Sequence, residues 1–492
     1  MSRHLLAVGI SIVVAAAPVA AAPFDKSGIA DWTQPPAPGP EPTFRPPVAT
    51  RVRLPNGIAV LVVENHTLPI VALDLLVPGA GTAADPKHKA GLASLTADML
   101  DEGAGGLSAL AIAEEAARLG AQITTYADAD AARVSASVLG KTLDPALELF
   151  GKLVTQPAFA AGELARVKGD VATAIEQRRD RPPEVASIVL GEALFGQDSA
   201  YGHPRAGVRA DVRGLTVADV QAFYRAHWQP AAMTLVVVGD VDTQALVARL
   251  GAGLGSWRPP AAPPVTPPST TRAKLVHRLL LVDRPGAAQS DVRIGTVGPD
   301  RRDPRYFAFE VLRTTFGGGF TGRITQRLRE QLGIIYHAYT NMLWRVAPGP
   351  FVVDAAIVTP ETATGVSEVL KILDDLATHE LSPAELDKSK QNLIRALPAS
   401  FDTNAETADA FVELALHKLP DDWYQRFADG VRKVTARDVK AAAQALLPSG
   451  RMAISIVGDL VKIRPSLDRL GLGAPALYDL DGAPLPAAAK AR

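Results

Sequence analysis

A similar run of residues closes two separate stretches of this chain, and that internal repeat points to a duplicated architecture. Met233-Thr234-Leu235-Val236-Val237-Val238-Gly239-Asp240 is matched by Met452-Ala453-Ile454-Ser455-Ile456-Val457-Gly458-Asp459. Each run follows a segment of one pattern, Thr216-Val217-Ala218-Asp219-Val220 in the first case and Thr435-Ala436-Arg437-Asp438-Val439 in the second. A Thr followed three residues later by an acid is the signature of a capped helix start, and a short apolar run bounded by Gly-Asp reads as a buried strand. A unit of helix then strand, used twice, sets the plan for everything between.

Two proline-rich stretches punctuate that plan, from Gln34 to Pro47 and from Arg258 through Pro268. Proline supplies no ladder donor, so such segments act as semi-rigid spacers. The expected organisation is a leader over 1–21, a Pro-rich segment over 22–48, a first domain over 49–257, a linker over 258–270, a second domain over 271–475 and a tail over 476–492. Within the first domain, Ile58 to Val63 and Ile70 to Val77 read as strands. Helices follow near Leu92–Leu100 and Ala109–Leu119, then strands through Ile123 and Val134–Val138, then helices between Asp144 and Phe195. The second domain repeats this order from Leu279. The fold class expected is α+β: two homologous halves, each a mixed, mainly antiparallel sheet with helices on one face.

With 492 residues, two or more cores are expected, and 47% hydrophobic residues are enough to fill them. A balance of 51 basic and 52 acidic residues offers no basic face for nucleic acid. Met1-Ser2-Arg3-His4 followed by an uncharged run from Leu5 to Ala22 has the layout of a secretory signal, with cleavage expected after Ala21; the alternative is an uncleaved anchor, since the apolar run is nearly long enough to span a bilayer. The signal reading places the protein in a periplasm or another extracytoplasmic space, with no stable membrane span after processing. Zero cysteines exclude disulfides and thiolate metal sites.

The order of elements, the duplicated halves and several local motifs resemble the pitrilysin/insulinase family of zinc peptidases, in the short two-domain form related to mitochondrial processing peptidase. Arg53-Leu54-Pro55-Asn56-Gly57-Ile58 is similar to the family's opening strand, with Asn-Gly at a tight turn. Tyr201-Gly202-His203-Pro204 is similar to a family loop, and Tyr224 through Pro230 to the approach to the closing strand. The resemblance implies a clamshell of the two halves, with hinge motion about residues 258–270 as the natural movement. It also implies where a zinc helix, H-x-x-E-H, would lie: in Gly91-Leu92-Ala93-Ser94-Leu95-Thr96-Ala97-Asp98-Met99. There two imidazoles one turn apart would grip the metal and a carboxylate would deprotonate water. The corresponding residues here are Ser94, Ala97 and Asp98, and the distal glutamate position, anchored on Arg178-Arg179-Asp180-Arg181-Pro182, falls on Ala174. Glu176 is two residues away and turned to a different helix face. The nine histidines, at 4, 66, 88, 203, 227, 277, 337, 379 and 417, include no pair within helical reach. No metal is expected on this chain. His203 and His227 read as structural contacts, and Glu114-Glu115 and Asp374-Asp375 as solvated helix faces.

The second half retains a different feature. Phe316-Gly317-Gly318-Gly319-Phe320-Thr321-Gly322-Arg323-Ile324 leads into Arg327-Leu328-Arg329-Glu330-Gln331-Leu332-Gly333-Ile334-Ile335-Tyr336, which resembles the family's glycine turn followed by its Arg/Tyr pair. The resemblance implies that Arg329 and Tyr336 hydrogen-bond a substrate backbone across a closed chamber. Read without it, Arg329 is a solvated helix residue paired with Glu330 and Tyr336 merely starts a strand. The expected function is that of a non-catalytic subunit of an exported heterodimeric zinc endopeptidase. A homologous partner would carry the zinc, and unfolded or short peptides would be the substrate, added as a strand to a sheet edge. The alternative is a peptide-binding or assembly scaffold of the same fold with no part in proteolysis. No Gly-x-Ser-x-Gly elbow suggests another hydrolase.

Overall fold

A computed structural model describes residues 44–263, 268 and 273–486, apart from 198 and 448. The leader, most of the Pro-rich segment and part of the linker lie outside the described residues. From Arg45 onward the chain forms one unit.

Its first sheet contains β1 (Thr50–Arg53), β2 (Ala59–Glu64) and β3 (Ile70–Pro78). A two-residue ribbon, β4 (Gly103–Ala104) with β5 (Leu107–Ser108), stands apart from it, and β6 (Gln122–Ala127), β7 (Ala131–Leu139) and β8 (Thr234–Gly239) complete it in the order β1-β2-β8-β3-β7-β6. The second sheet is built from β9 (Leu279–Asp283), β10 (Gln289–Val297), β11 (Ile335–Met342), β12 (Pro350–Val358), β13 (Ala453–Gly458) and β14 (Ala476–Tyr478), in the order β11-β12-β10-β13-β9-β14. The repeat is exact in topology over five strands. In each half the opening strand pairs parallel with the closing one, β2 with β8 and β9 with β13, and the other three are antiparallel. Only the sixth strand differs: β1 runs antiparallel to β2, whereas β14 lies parallel to β9. Residues 476–478, placed at the head of a tail by the sequence reading, thus belong to the second sheet, because Ala476, Leu477 and Tyr478 satisfy the open edge of β9.

The repeated helix starts form as their sequences require. Thr216 and Thr435 each accept a hydrogen bond from the backbone of the acid three residues on, and the carboxylates of Asp219 and Asp438 accept one in turn from the Thr backbone N–H. The helices Leu92–Asp98, Ala109–Leu119, Leu143–Thr155 and Val217–His227 contribute to the core on one face of the first sheet. Tyr306–Gly317, Thr362–Thr378, Phe427–Lys433 and Ala436–Leu446 do so for the second.

The opposite face of each sheet is covered by a helix from the other half. Pro182–Phe195 lays Val185, Val189 and Leu190 against Leu280, Val282, Val352 and Val457 of the second sheet. Asn404–His417 lays Ala408, Phe411 and Val412 against Leu61, Leu76, Val236 and Val238 of the first. Cover on both faces is why β2, β8 and β13 are buried almost without a break, β13 enclosing even Ser455, whereas β7, flanked by less cover, alternates. Polar pins accompany each exchanged helix. Arg133 on β7 bonds Asp74 on β3, with Nε to Oδ1 at 3.1 Å, and also pairs with Asp409 of the exchanged helix. In the second sheet Arg293 pairs with Asp354 at 2.5 Å and donates to Ser187 Oγ at 3.2 Å. Asn404 Nδ2 donates to the carbonyl of Ile70 at 2.9 Å. The two halves are therefore interlocked.

Candidate functional site

The short helix Leu92–Asp98 begins at Gly91, whose φ of 97° lies in the left-handed region open to glycine. Its exposed amides are satisfied by Asp85, which accepts from Gly91 N at 2.7 Å and Ala93 N at 2.8 Å. On this helix Ala97 is buried, Ser94 Oγ donates to the carbonyl of Arg205 at 2.8 Å, and Asp98 is half-buried. Burial pushes the Asp98 carboxyl up to about 6, opposed by the nearby Arg205 guanidinium and reinforced by Asp101 and Glu102. Ser94, Asp98, Tyr126, Val171 and Arg205 enclose a cavity of about 80 Å³.

This set does not fit a zinc ion. A cation would have to sit beside a guanidinium, with one carboxylate and one hydroxyl already bound to a backbone carbonyl. Ala174 is exposed and offers no donor, and Glu176 is paired with Arg209 in a different cavity. Among the described residues no group of three His, Asp or Glu is placed to hold a metal. His203 is largely buried against the carbonyl of its own neighbour Pro204, at 3.4 Å, and burial lowers its pKa. His227 stacks on Phe223 with ring centroids 4.2 Å apart.

Arg329 and Tyr336 lie together on the second half. The helix Tyr306–Gly317 ends against β11 so tightly that a Cβ on Gly317 would stand 2.0 Å from Thr340 Oγ1. Gly319, at φ 75°, then turns the chain outward to Phe320. Residues Thr325–Gln331 form a widened π-type turn, with Leu332 N bonded five residues back to Arg327 O at 3.2 Å. Such turns recur at functional sites because they re-aim side chains at little cost in bonding. Here Arg323 is held by Glu385 at 2.6 Å and Asp375 at 2.5 Å, and Arg327 by Glu368 at 2.7 Å. Arg329 has only a 3.5 Å approach to Glu330, and its guanidinium lies 5.3 Å from the Tyr336 ring and 5.1 Å from the Phe320 ring.

Tyr336 is 73% exposed and Phe320 72%. A register shift between Ile335 and Ala338 turns both Tyr336 and His337 outward. Tyr339 is exposed too, and its ring lies 5.3 Å from His337. Sequence reasoning names Arg329 and Tyr336 as candidates and does not single out Phe320, His337 and Tyr339, which the fold sets beside them. The signal available for Tyr339 was the alternation of exposed Tyr339 and Asn341 with buried Ala338, Thr340 and Met342. The cavity beside Ser94 and Asp98 is not lined by Arg329 or Tyr336. Each lies by a sheet edge: β6, which carries Tyr126, and β11, which carries Tyr336, are the last strands of their sheets.

Comparison with known proteins gives a consistent result. Residues 59–203 match the family model for insulinase (peptidase family M16), and residues 214–393 match the model for the peptidase M16 inactive domain. An uncharacterized zinc protease of Mycobacterium bovis is 26% identical over 412 residues, 83% of this chain and 92% of that protein. A protein of Helicobacter pylori named a non-peptidase homolog is 22% identical, over 82% of this chain and 93% of that one. Among solved structures, a peptidase M16 inactive domain from Pseudomonas fluorescens is similar with a TM-score of 0.77 and 26% identity, covering 83% of this chain and 97% of that one.

Proposed function

Because this chain belongs to the insulinase-type peptidase family M16, as an inactive-type, peptidase-like member, we propose that it is the non-catalytic subunit of an exported heterodimeric zinc endopeptidase. The observation that carries the reading is the state of Arg329. Of the three arginines on this segment it alone is not closely held by carboxylates, and it is shelved between exposed aromatic rings beside Tyr336. Its guanidinium and the Tyr336 hydroxyl are donors facing solvent, ready to orient the carbonyls of an extended peptide.

The zinc and its activated water reside in the homologous partner, since the residues at Ser94, Ala97, Asp98 and Ala174 do not suit the ion. The substrate is an unfolded or short peptide that adds as a strand to a free sheet edge. Fixing the scissile bond in place makes such a subunit necessary without any metal of its own.

The experiment is to purify the chain alone and together with a zinc-bearing family member encoded by the same organism, and to assay a quenched peptide. Chelator-sensitive cleavage is expected only from the pair. Arg329→Ala and Tyr336→Phe should each lower turnover on the order of 100- to 1,000-fold with dimerisation intact, the usual effect of losing one preorganised donor. Unchanged turnover in both variants would instead assign the chain to the scaffold reading, and cleavage by the lone chain would refute the division of labour.

A further inference from the structure

A second cavity, of about 210 Å³, lies where the helix Ala161–Gln177 gives way to Arg178–Asp180 and meets the exchanged helix Pro182–Phe195. Its walls include Ile175, Ile188 and Val208, which are apolar, and Arg178, Arg209 and Glu192, which are not. Arg178 is only 7% exposed, yet its guanidinium makes no hydrogen bond or ion pair with any described residue, and its buried Nε is without a partner. Burial lowers its pKa, and the more distant charges of Asp481 and Glu184 only partly offset that.

The neighbouring charges are differently placed. Arg179 donates to Asp481 at 2.7 Å, and Arg209 pairs with Glu176 through one terminal nitrogen, which leaves the Arg209 Nε buried and without a partner as well. Glu192 sits one helical turn from Ile188 on the same wall and has no arginine or lysine partner within 4 Å among the described residues. Burial, with Asp479 nearby, raises its carboxyl pKa.

A buried cation with open donors is destabilising unless something compensates it. In this cavity the unpaired guanidinium of Arg178, with Arg209 beside it, calls for an anion, and an unpaired carboxylate on another wall calls for a cation. Between them are apolar surfaces and room for about seven waters' volume. One small molecule meets all three demands. We propose that this cavity binds the zwitterion of a short peptide, of dipeptide size. Its terminal carboxylate rests on Arg178 and Arg209, its ammonium on Glu192, and its apolar side chain among Ile175, Ile188 and Val208. The site is separate from Arg329 and Tyr336 and does not depend on the subunit reading.

The test is isothermal titration of the full chain at pH 7 with Ala-Leu, its C-terminal amide, its N-acetyl derivative and inorganic phosphate. Ala-Leu should bind, and the amide and the acetylated form should each bind at least about tenfold more weakly, the scale of one charge-assisted contact. Arg178→Gln should abolish the preference for free acid over amide while leaving the preference for free amine. Glu192→Gln, a near-isosteric change at a half-buried position, should do the reverse. Absence of binding by Ala-Leu, equal affinity for acid and amide, or phosphate binding as tightly as the dipeptide would each overturn the proposal, the last by showing a simple anion site.

Discussion

The interlocking of the halves makes a strong claim about Phe411. This residue belongs by sequence to the second half, but its side chain is 1% exposed and packs with Leu61, Leu76, Val236 and Val238 on the first sheet. Phe411→Ala should remove a whole ring from a site that cannot collapse, since the sheet is held from its other face by a separate core. The expected loss is about 3–5 kcal/mol, or roughly a thousandfold in the unfolding equilibrium. Hydrogen exchange followed by mass spectrometry reads where that loss is felt. Peptides over Ala59–Glu64 and Thr234–Gly239 should exchange faster in the variant, in step with those over Asn404–His417, and urea unfolding should remain a single transition. If protection in the first sheet were unchanged while the second half loosened, the helix would not be covering that sheet and the reasoning would fail.

Two further outcomes follow from particular contacts. Gly317→Ala, with its new Cβ 2.0 Å from Thr340 Oγ1, should cost about 1–3 kcal/mol in thermal unfolding; Thr340→Ala in the same chain should recover part of that, and a lone Gly317→Ala as stable as the parent would contradict the close approach. Asp219 is held down to about 2 by Lys89 and by the Thr216 hydroxyl and amide, so its contribution is present above the ordinary carboxylate value near 3.8 and is lost as pH falls from there towards 2. Asp219→Asn should therefore lower the urea midpoint at pH 7 by the equivalent of about 1–2 kcal/mol, discounted for partial exposure, and the gap from the parent should close by pH 2. A gap that persisted undiminished at pH 2 would place the effect elsewhere.

Much of the fold could be read from local chemistry. Thr216 with Asp219 and Thr435 with Asp438 specify helix starts by hydrogen bonding within four residues, and the two closing strands are specified by short, mainly apolar runs ending in Gly-Asp. The partner of a helix is a different matter, because periodicity shows that a face is apolar without showing what covers it. Pro182–Phe195 did carry a hint: Val185, Ala186, Val189, Leu190, Leu194 and Phe195 surround it rather than forming one stripe, the mark of a helix enclosed on several sides. At the site, the missing imidazoles at 94 and 98 were evident in the sequence itself. The cavity at Arg178 was not, since in sequence Arg178 is one member of a charged run, and only the fold shows that it is buried while Arg179 reaches Asp481.

The exchanged helices also bear on how a chamber could open. A hinge about residues 258–270 would have to draw Pro182–Phe195 off the second sheet and Asn404–His417 off the first, exposing both sets of apolar residues and breaking the Arg133 pairs with Asp74 and Asp409. Each large side chain uncovered costs about 1.5–3 kcal/mol, so separating even four of them exceeds what binding a short peptide returns. Opening within this chain is therefore far more costly than sliding at a contact between subunits. In the heterodimer we propose, the moving seam would therefore lie between the two chains, with this one as a rigid jaw carrying Arg329 and Tyr336.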